Sequence, residues 1–302
     1  LRISRLPQNP IITPSHDPRI GENLNGPSLI RVPEWLPKRL GNYYLYFAHH
    51  QGQYIRLAYA ERLQGPWTVY APGALPLDGT PCFGHIASPD VHVDEAKRRL
   101  VLYYHGPALR REQLAGDPLT ARYPFLGGQR SFVAFSQDGI HFASQREVLG
   151  PSYFRVFRHG GWVYALGMPG IFLRSRDGIT NFESGPVLFS RDQRHTAVLV
   201  AGDTLYVFYS QAGDCPEHIL CATIDLSVDW LAWQASEPVS VLLPETEYEG
   251  VDLPLEPSRR GAIHARARQL RDPAIFQEDG RIHLLYSVAG ESGIAIGELQ
   301  ME

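Results

Sequence analysis

The chain has 302 residues, of which 44% are hydrophobic and 20% charged, with 28 glycines, 24 prolines and a formal net charge of −4. A chain of this length buries roughly three quarters of its unfolded surface, and its aromatic content argues against disorder. The charge balance offers no footprint for nucleic acid or an anionic membrane surface, and no apolar run is long enough for a transmembrane helix.

Along the chain, short runs of β-branched and aromatic residues recur between Gly, Pro, Asn and Asp, the pattern of an all-β protein. A short strand followed by an aromatic-rich strand occurs five times. The pairs are Gly-Pro-Ser-Leu-Ile-Arg-Val (26–32) with Tyr-Tyr-Leu-Tyr-Phe (43–47), and Ser-Pro-Asp-Val-His-Val (88–93) with Leu-Val-Leu-Tyr-Tyr (100–104). Next come Gly-Pro-Ser-Tyr-Phe-Arg-Val (150–156) with Trp-Val-Tyr-Ala-Leu (162–166), and His-Thr-Ala-Val-Leu-Val (195–200) with Leu-Tyr-Val-Phe-Tyr (205–209). The last is Asp-Pro-Ala-Ile-Phe (272–276) with Ile-His-Leu-Leu-Tyr (282–286). Third strands follow, as at 55–60, 132–136 and 294–299, and turns such as Asp138-Gly139 and Asp279-Gly280 suit hairpins that need φ > 0.

Five such units predict a five-bladed β-propeller in a single domain, 1–302, with a β-sandwich as the alternative. The innermost strands are expected near 27–32, 90–94, 152–157, 195–200 and 273–277. The stretches 61–87, 107–130 and 227–268 are expected as loops on the propeller faces. Three cysteines, Cys82, Cys215 and Cys221, with no CxxC spacing, suggest neither a disulfide framework nor a zinc site. Residues 1–13 lack the apolar stretch of a signal peptide, so a cytoplasmic location is expected, although a start at Leu rather than Met is compatible with trimming.

In antiparallel blades the start of strand one and the end of strand two share a face. That places Asn25, Asp90, Tyr153, His195, Arg271 and Asp272 at one mouth, together with His49, His50, His105 and Glu291. Each has an ordinary explanation, such as an Asp capping a turn or a His satisfying a carbonyl. Their convergence predicts a polar ligand site.

The inner-strand motifs resemble those of the five-bladed glycosidases of family 43 and its relatives in families 32, 62, 117 and 130. Ser88-Pro89-Asp90-Val91 resembles the second-blade motif, Arg194-His195 falls at the fourth-blade histidine, and Arg271-Asp272-Pro273 has the form of the Asp-Pro motif. The opening Asn9-Pro10-Ile11-Ile12-Thr13-Pro14 resembles that of family 130 and of divergent family 43 members. Two departures stand out: Asn25-Gly26-Pro27 replaces the first-blade Asp-Pro, and Leu149-Gly150-Pro151 replaces the Glu-Gly-Pro that carries the general acid.

The resemblance implies a glycoside hydrolase acting on a small or exo-presented glycoside, with a carbohydrate as its partner. Such cleavage needs a proton donor and a carboxylate that activates water or attacks carbon. Asp90 and Asp272 are the expected carboxylates, sharing one funnel with His195 beside them. His195, before His85, is the expected proton donor, its pKa raised by Asp90; Glu22 and Glu249 are substitutes. His49, His50, His85, His105, Tyr153, Arg155, Asn25, Glu249, Arg271 and Glu291 are expected to bind substrate. A phosphorylase resembling family 130, with Arg271, Arg155 and His105 around phosphate, and a non-catalytic sugar-binding propeller are the alternatives. No cofactor is expected; a calcium on the axis beside His195, or a transition metal among His49, His50, His85, His92 and His105, is the open exception.

Overall fold

The computed structural model describes residues 1–301. Five antiparallel sheets stand around a common axis, the propeller predicted from the repeats. Blade one runs outward through Asn25–Arg31, Tyr43–Ala48, Tyr54–Ala60 and Thr68–Pro76. Blade two has Ala87–Asp94, Arg99–Pro107 and Gln129–Ser136, with the short segments Ala143–Ser144 and Gly150–Pro151 on its outer edge. Blade three has Arg155–His159, Trp162–Gly167, Ile171–Ser175 and Glu183–Val187. Blade four has Gln193–Ala201, Thr204–Gln211, Ile219–Asp225 and Val239–Leu242.

Blade five is completed from both ends of the chain. Arg271–Glu278, Arg281–Val288 and Gly293–Gln300 pair in order, and the N-terminal Arg2–Arg5 adds the outermost strand against Gly293–Gln300. The pairing closes the ring without a covalent link.

Each blade is packed on both faces by its neighbours. Its second strand therefore reads as a continuous apolar run instead of an alternating one; Tyr43–Ala48 is buried at every position. The core is divided into five hydrophobic clusters, one between each pair of adjacent blades. Leu45 and Phe47, for example, pack against Phe276 and Leu285 across the junction of blades one and five. Each large side chain buried there contributes roughly 1.5–3 kcal/mol relative to exposure.

Three sequence expectations shift. The stretches 61–87 and 227–268 are not only loops, since they contain the outer strands Thr68–Pro76 and Val239–Leu242. The stretch 107–130 carries a 3-10 turn and the short helix Pro118–Arg122. Gly150–Pro151 does not open blade three; it pairs with Arg130 and Ser131 of blade two, and the inner strand of blade three begins at Arg155.

Candidate functional site

One residue per blade takes a left-handed backbone conformation where its inner strand begins. These are Gly26 (φ 55°), Ser88 (52°), Tyr153 (65°), His195 (25°) and Asp272 (49°). In blades one, two, four and five the residue lies within a register shift of the inner pair, a β-bulge that re-aims its side chain. For residues with a Cβ this conformation costs roughly 1–3 kcal/mol each. At Gly26 a Cβ would stand 2.9 Å from the Ser88 Cα, so glycine is needed there.

The left-handed residues Ser88, Tyr153, His195 and Asp272 all face one axial cavity of about 220 Å³. Asn25, His50, His85, His105, Arg194 and Arg260 also line it. The Tyr153 ring lies between those of His105 and His195, with centroids 5.8 and 5.1 Å away. Its hydroxyl donates to Asp272 Oδ1 at 2.9 Å. His195 Nδ1 is 3.3 Å from the same oxygen, outside hydrogen-bond geometry. Asp272 Oδ2, His195 Nδ1 and His105 Nδ1 are all buried without a protein partner.

Burial and the nearby Glu291 carboxylate push the Asp272 carboxyl above its ordinary range. Burial holds His195 well below the usual imidazole value, reinforced by Arg194 and Arg271. Burial likewise lowers His105 to about 3, with His85 and Arg155 adding to the effect. The cavity thus joins a carboxylate that ionises reluctantly to imidazoles that remain neutral.

Behind the cavity runs a buried chain of charges. Arg271 bridges Glu217 and Glu291, each at 3.0 Å. Glu291 meets His50 Nδ1 at 2.6 Å, and Arg194 reaches Glu217 at 3.3 Å. Burial opposes ionisation of Glu291, yet contacts with His50, Arg271 and Asn23 outweigh it and hold this carboxyl below its ordinary range. The guanidinium of Arg194 also donates to the carbonyls of Arg259 and Gly261, so the cation is occupied on its buried side.

No family model matches the chain. Uncharacterized protein R118 of Acanthamoeba polyphaga mimivirus is 35% identical over 334 residues, spanning 98% of this chain and 89% of that one. The chain belongs to the R118 family. Among solved structures it resembles the family 43 β-xylosidase/α-arabinofuranosidase CoXyl43 from a compost metagenome, with TM-score 0.61 and 14% identity over 99% and 96% of the two chains. It also resembles a family 43 enzyme of Xanthomonas citri, with TM-score 0.61 and 12% identity over 94% and 90%. An exo-1,5-α-L-arabinanase from a bovine ruminal metagenome gives 0.57 and 11% over 93% and 94%. At these identities the likeness establishes the propeller fold.

In this R118-family chain the predicted residues separate into two groups. Asp272, His195, Asn25, His50, His85, His105 and Tyr153 line the cavity. Asp90 does not. It lies two residues past the bulge, where its Oδ2 accepts the Val156 N–H of blade three at 2.9 Å and meets His92 Nε2 at 2.9 Å. Burial opposes ionisation of Asp90, but His92, Arg155 and the Val156 N–H outweigh it and its carboxyl lies below the ordinary value. Ser28 and Arg155, each two residues past the left-handed residue of its own blade, also tie their blade to the next: Ser28 accepts the Val91 N–H, and Arg155 donates to the Thr196 carbonyl.

Other expected contacts are redirected too. Arg155 also reaches the carbonyls of Ser88 and Pro89, and Arg271 is held between two glutamates, so the phosphate pocket expected from them is not formed. Glu291 stands behind His50 rather than on the cavity wall. Glu249 is fully buried at another place: it takes Arg5 of the N-terminal strand at 2.8 Å and the Tyr286 hydroxyl at 2.9 Å. Glu22 and His49 are absent from the cavity lining. Leu149 belongs to the apolar cluster between blades two and three, and Tyr153 holds the blade-three position at the axis. The predicted rise of the His195 pKa is reversed, because burial dominates and the cations Arg194 and Arg271 add to it, while Asp90 stands elsewhere.

Glu217, Ser88, Gln129, Met168 and Arg260 were not anticipated. Glu217 had a signal: Ser210-Gln211-Ala212-Gly213 and Ser287-Val288-Ala289-Gly290 are parallel strand ends, each followed shortly by a glutamate. Around His195 the cavity offers imidazoles, one phenol, one carboxylate and the side-chain oxygens of Asn25, Ser88 and Gln129. Among the described residues no group of three or more His, Cys, Asp or Glu side chains could hold a metal ion.

Proposed function

We propose that the axial cavity binds a sugar and that the chain is a glycoside hydrolase acting on a small or terminally presented glycoside. The observation that carries this reading is Asp272 Oδ2, a buried carboxylate oxygen with no protein partner, on a cavity wall. Its raised pKa suits a general base, because a stronger conjugate base accepts a proton from water more readily. The same oxygen could instead attack the anomeric carbon directly, the other role open to a glycosidase carboxylate. Tyr153 orients the carboxylate through its other oxygen. Neutral His195 and His105 offer single hydrogen bonds to sugar hydroxyls and carry no proton to give to a leaving oxygen. The propeller neighbours, a xylosidase/arabinofuranosidase and an arabinanase, support the carbohydrate class.

A glycosidase ordinarily pairs two carboxyl groups across the scissile bond, whereas Asp272 is the single carboxylate among the residues lining this cavity. That observation favours a second reading, a propeller that binds sugar without cleaving it. Aryl glycosides decide between the two, since a good leaving group departs with little protonation. Hydrolysis of a nitrophenyl glycoside panel is expected, falling about 10²- to 10⁴-fold in Asp272→Asn. Turnover that survives the substitution removes Asp272 from the chemistry. Sugar binding by calorimetry with no turnover of any panel member establishes the second reading.

A further inference from the structure

Three residues of the axial cavity, Gln129, Met168 and Arg260, also line a second cavity of about 390 Å³. The two spaces adjoin across these residues, and the outer one lies between the face loops of blades two, three and four. We propose that this outer chamber receives the leaving-group unit of the substrate and selects one that carries a negative charge. This inference rests on the hydrolase reading and adds a substrate class to it.

The walls supply both parts of the recognition. Phe125, Leu126, Met168 and Pro169 form an apolar side suited to the face of a ring. Facing the same space, the Arg191 guanidinium stacks on Phe125 at 4.8 Å from its centroid. Stacking holds the planar cation in place without spending its N–H donors. Among the described residues no protein acceptor takes a hydrogen bond from the Arg191 side chain, while the Arg191 backbone carbonyl accepts one from the Arg260 guanidinium. Arg260 stands beside it with a single acidic neighbour, Asp192 Oδ1 at 3.6 Å. Two guanidinium groups against one carboxylate leave the chamber with a positive excess. A fixed, unpaired guanidinium is suited to carboxylate, sulfate or phosphate oxygens, which it meets with two parallel hydrogen bonds. Arg191 lines the outer chamber and not the axial cavity, where Arg194 is tied to Glu217 and two carbonyls. The charge selectivity therefore falls on the leaving group and not on the sugar held beside Asp272.

Two aryl glycosides with the same sugar test this, one with a neutral nitrophenyl group and one with a carboxylate added to that ring. The ratio of their kcat/KM values, anionic over neutral, is compared among wild type, Arg191→Met and Arg191→Lys. Arg191→Met keeps a flexible apolar stem on Phe125 and should lower the ratio about 10- to 100-fold, the worth of one hydrogen-bonded charge pair. Arg191→Lys, which keeps the charge, should recover part of it. An unchanged ratio in Arg191→Met overturns the proposal. So does acceleration of the neutral substrate by inorganic phosphate that Arg191→Met abolishes, because the cations would then serve a phosphate nucleophile. Failure of wild type to turn over either glycoside would end the hydrolase reading instead. Calorimetric Kd values for the same two compounds then judge the chamber by the same ratio, and equal weakening of both overturns it.

Discussion

Asp272 and Asp90 sit at the beginning of inner strands in different blades, each next to a proline, and the fold puts them to opposite uses. Asp272 precedes its proline and occupies the bulge, so its side chain is turned onto the axis with Oδ2 unpartnered. Asp90 follows its proline and stands past the bulge, where the Val156 N–H and His92 satisfy it. Burial dominates the first and lifts its pKa; partners outweigh burial at the second and lower it. A two-residue displacement along a strand separates a carboxylate with an unpartnered oxygen from one held by a neighbouring blade. Residue type and neighbourhood to a proline do not distinguish them.

A third carboxylate gives the largest expected effect on stability. Glu249 is fully buried and paired with Arg5, the residue that ends the N-terminal strand. Arg5→Ala would leave that carboxylate without its cation and should cost about 3–5 kcal/mol, with the N-terminal strand losing amide-exchange protection first. A loss under about 1 kcal/mol in urea unfolding would mean that the strand is held by its backbone pairing alone.

Asp90 comes next. Asp90→Ala removes the acceptor of the Val156 N–H and the partner of His92, and should cost about 1.5–3 kcal/mol, the range for hydrogen bonds to charged groups. Because its folded pKa is depressed, the Asp90 contribution is complete above the ordinary Asp value near 4 and is lost as pH falls through the lower folded value. The wild-type and variant stabilities should therefore converge in acid. Catalysis of an aryl glycoside, measured well below both melting temperatures, should persist in Asp90→Ala; its collapse would return Asp90 to the site.

The smallest effect has the opposite sign. With a raised folded pKa, ionised Asp272 destabilises the folded chain above that pKa, and the cost fades as pH falls toward the ordinary value. Asp272→Asn should accordingly stabilise the protein by about 1–2 kcal/mol at pH 8 and by little near pH 4, as expected for a raised carboxyl. Chemical denaturation across that range measures it. Stabilisation that is equal at both ends would mean that burial alone, and not charge, sets the state of this carboxyl.

Much of the architecture was legible because strand alternation, turn chemistry and the fivefold return of an aromatic second strand are local properties repeated along the chain. They located all five inner strands to within a few residues and brought Asn25, His50, His105, Tyr153, His195 and Asp272 to one mouth. They did not reveal the outer strands hidden in 61–87 and 227–268, whose residues Val-Tyr-Ala and Val-Ser-Val are too short and too ordinary to stand out. Nor did they reveal that Arg2–Arg5 pairs with Gly293–Gln300, since that contact joins opposite ends of the chain.

What the sequence by itself determined was the propeller, the face on which the site lies and the chemical types gathered there. What only the tertiary structure decided was the partner of each charge. Backbone bulges select Ser88 and Asp272 for the axis, while Arg271 holds Glu217 and Glu291 behind it. Whether a buried group is charged depends on burial and on neighbours brought in from other blades, and neither is a property of the local sequence. His195 illustrates the point: adjacency to Arg194 was visible in the sequence, but the packing that buries the ring and adds Arg271 keeps its imidazole neutral.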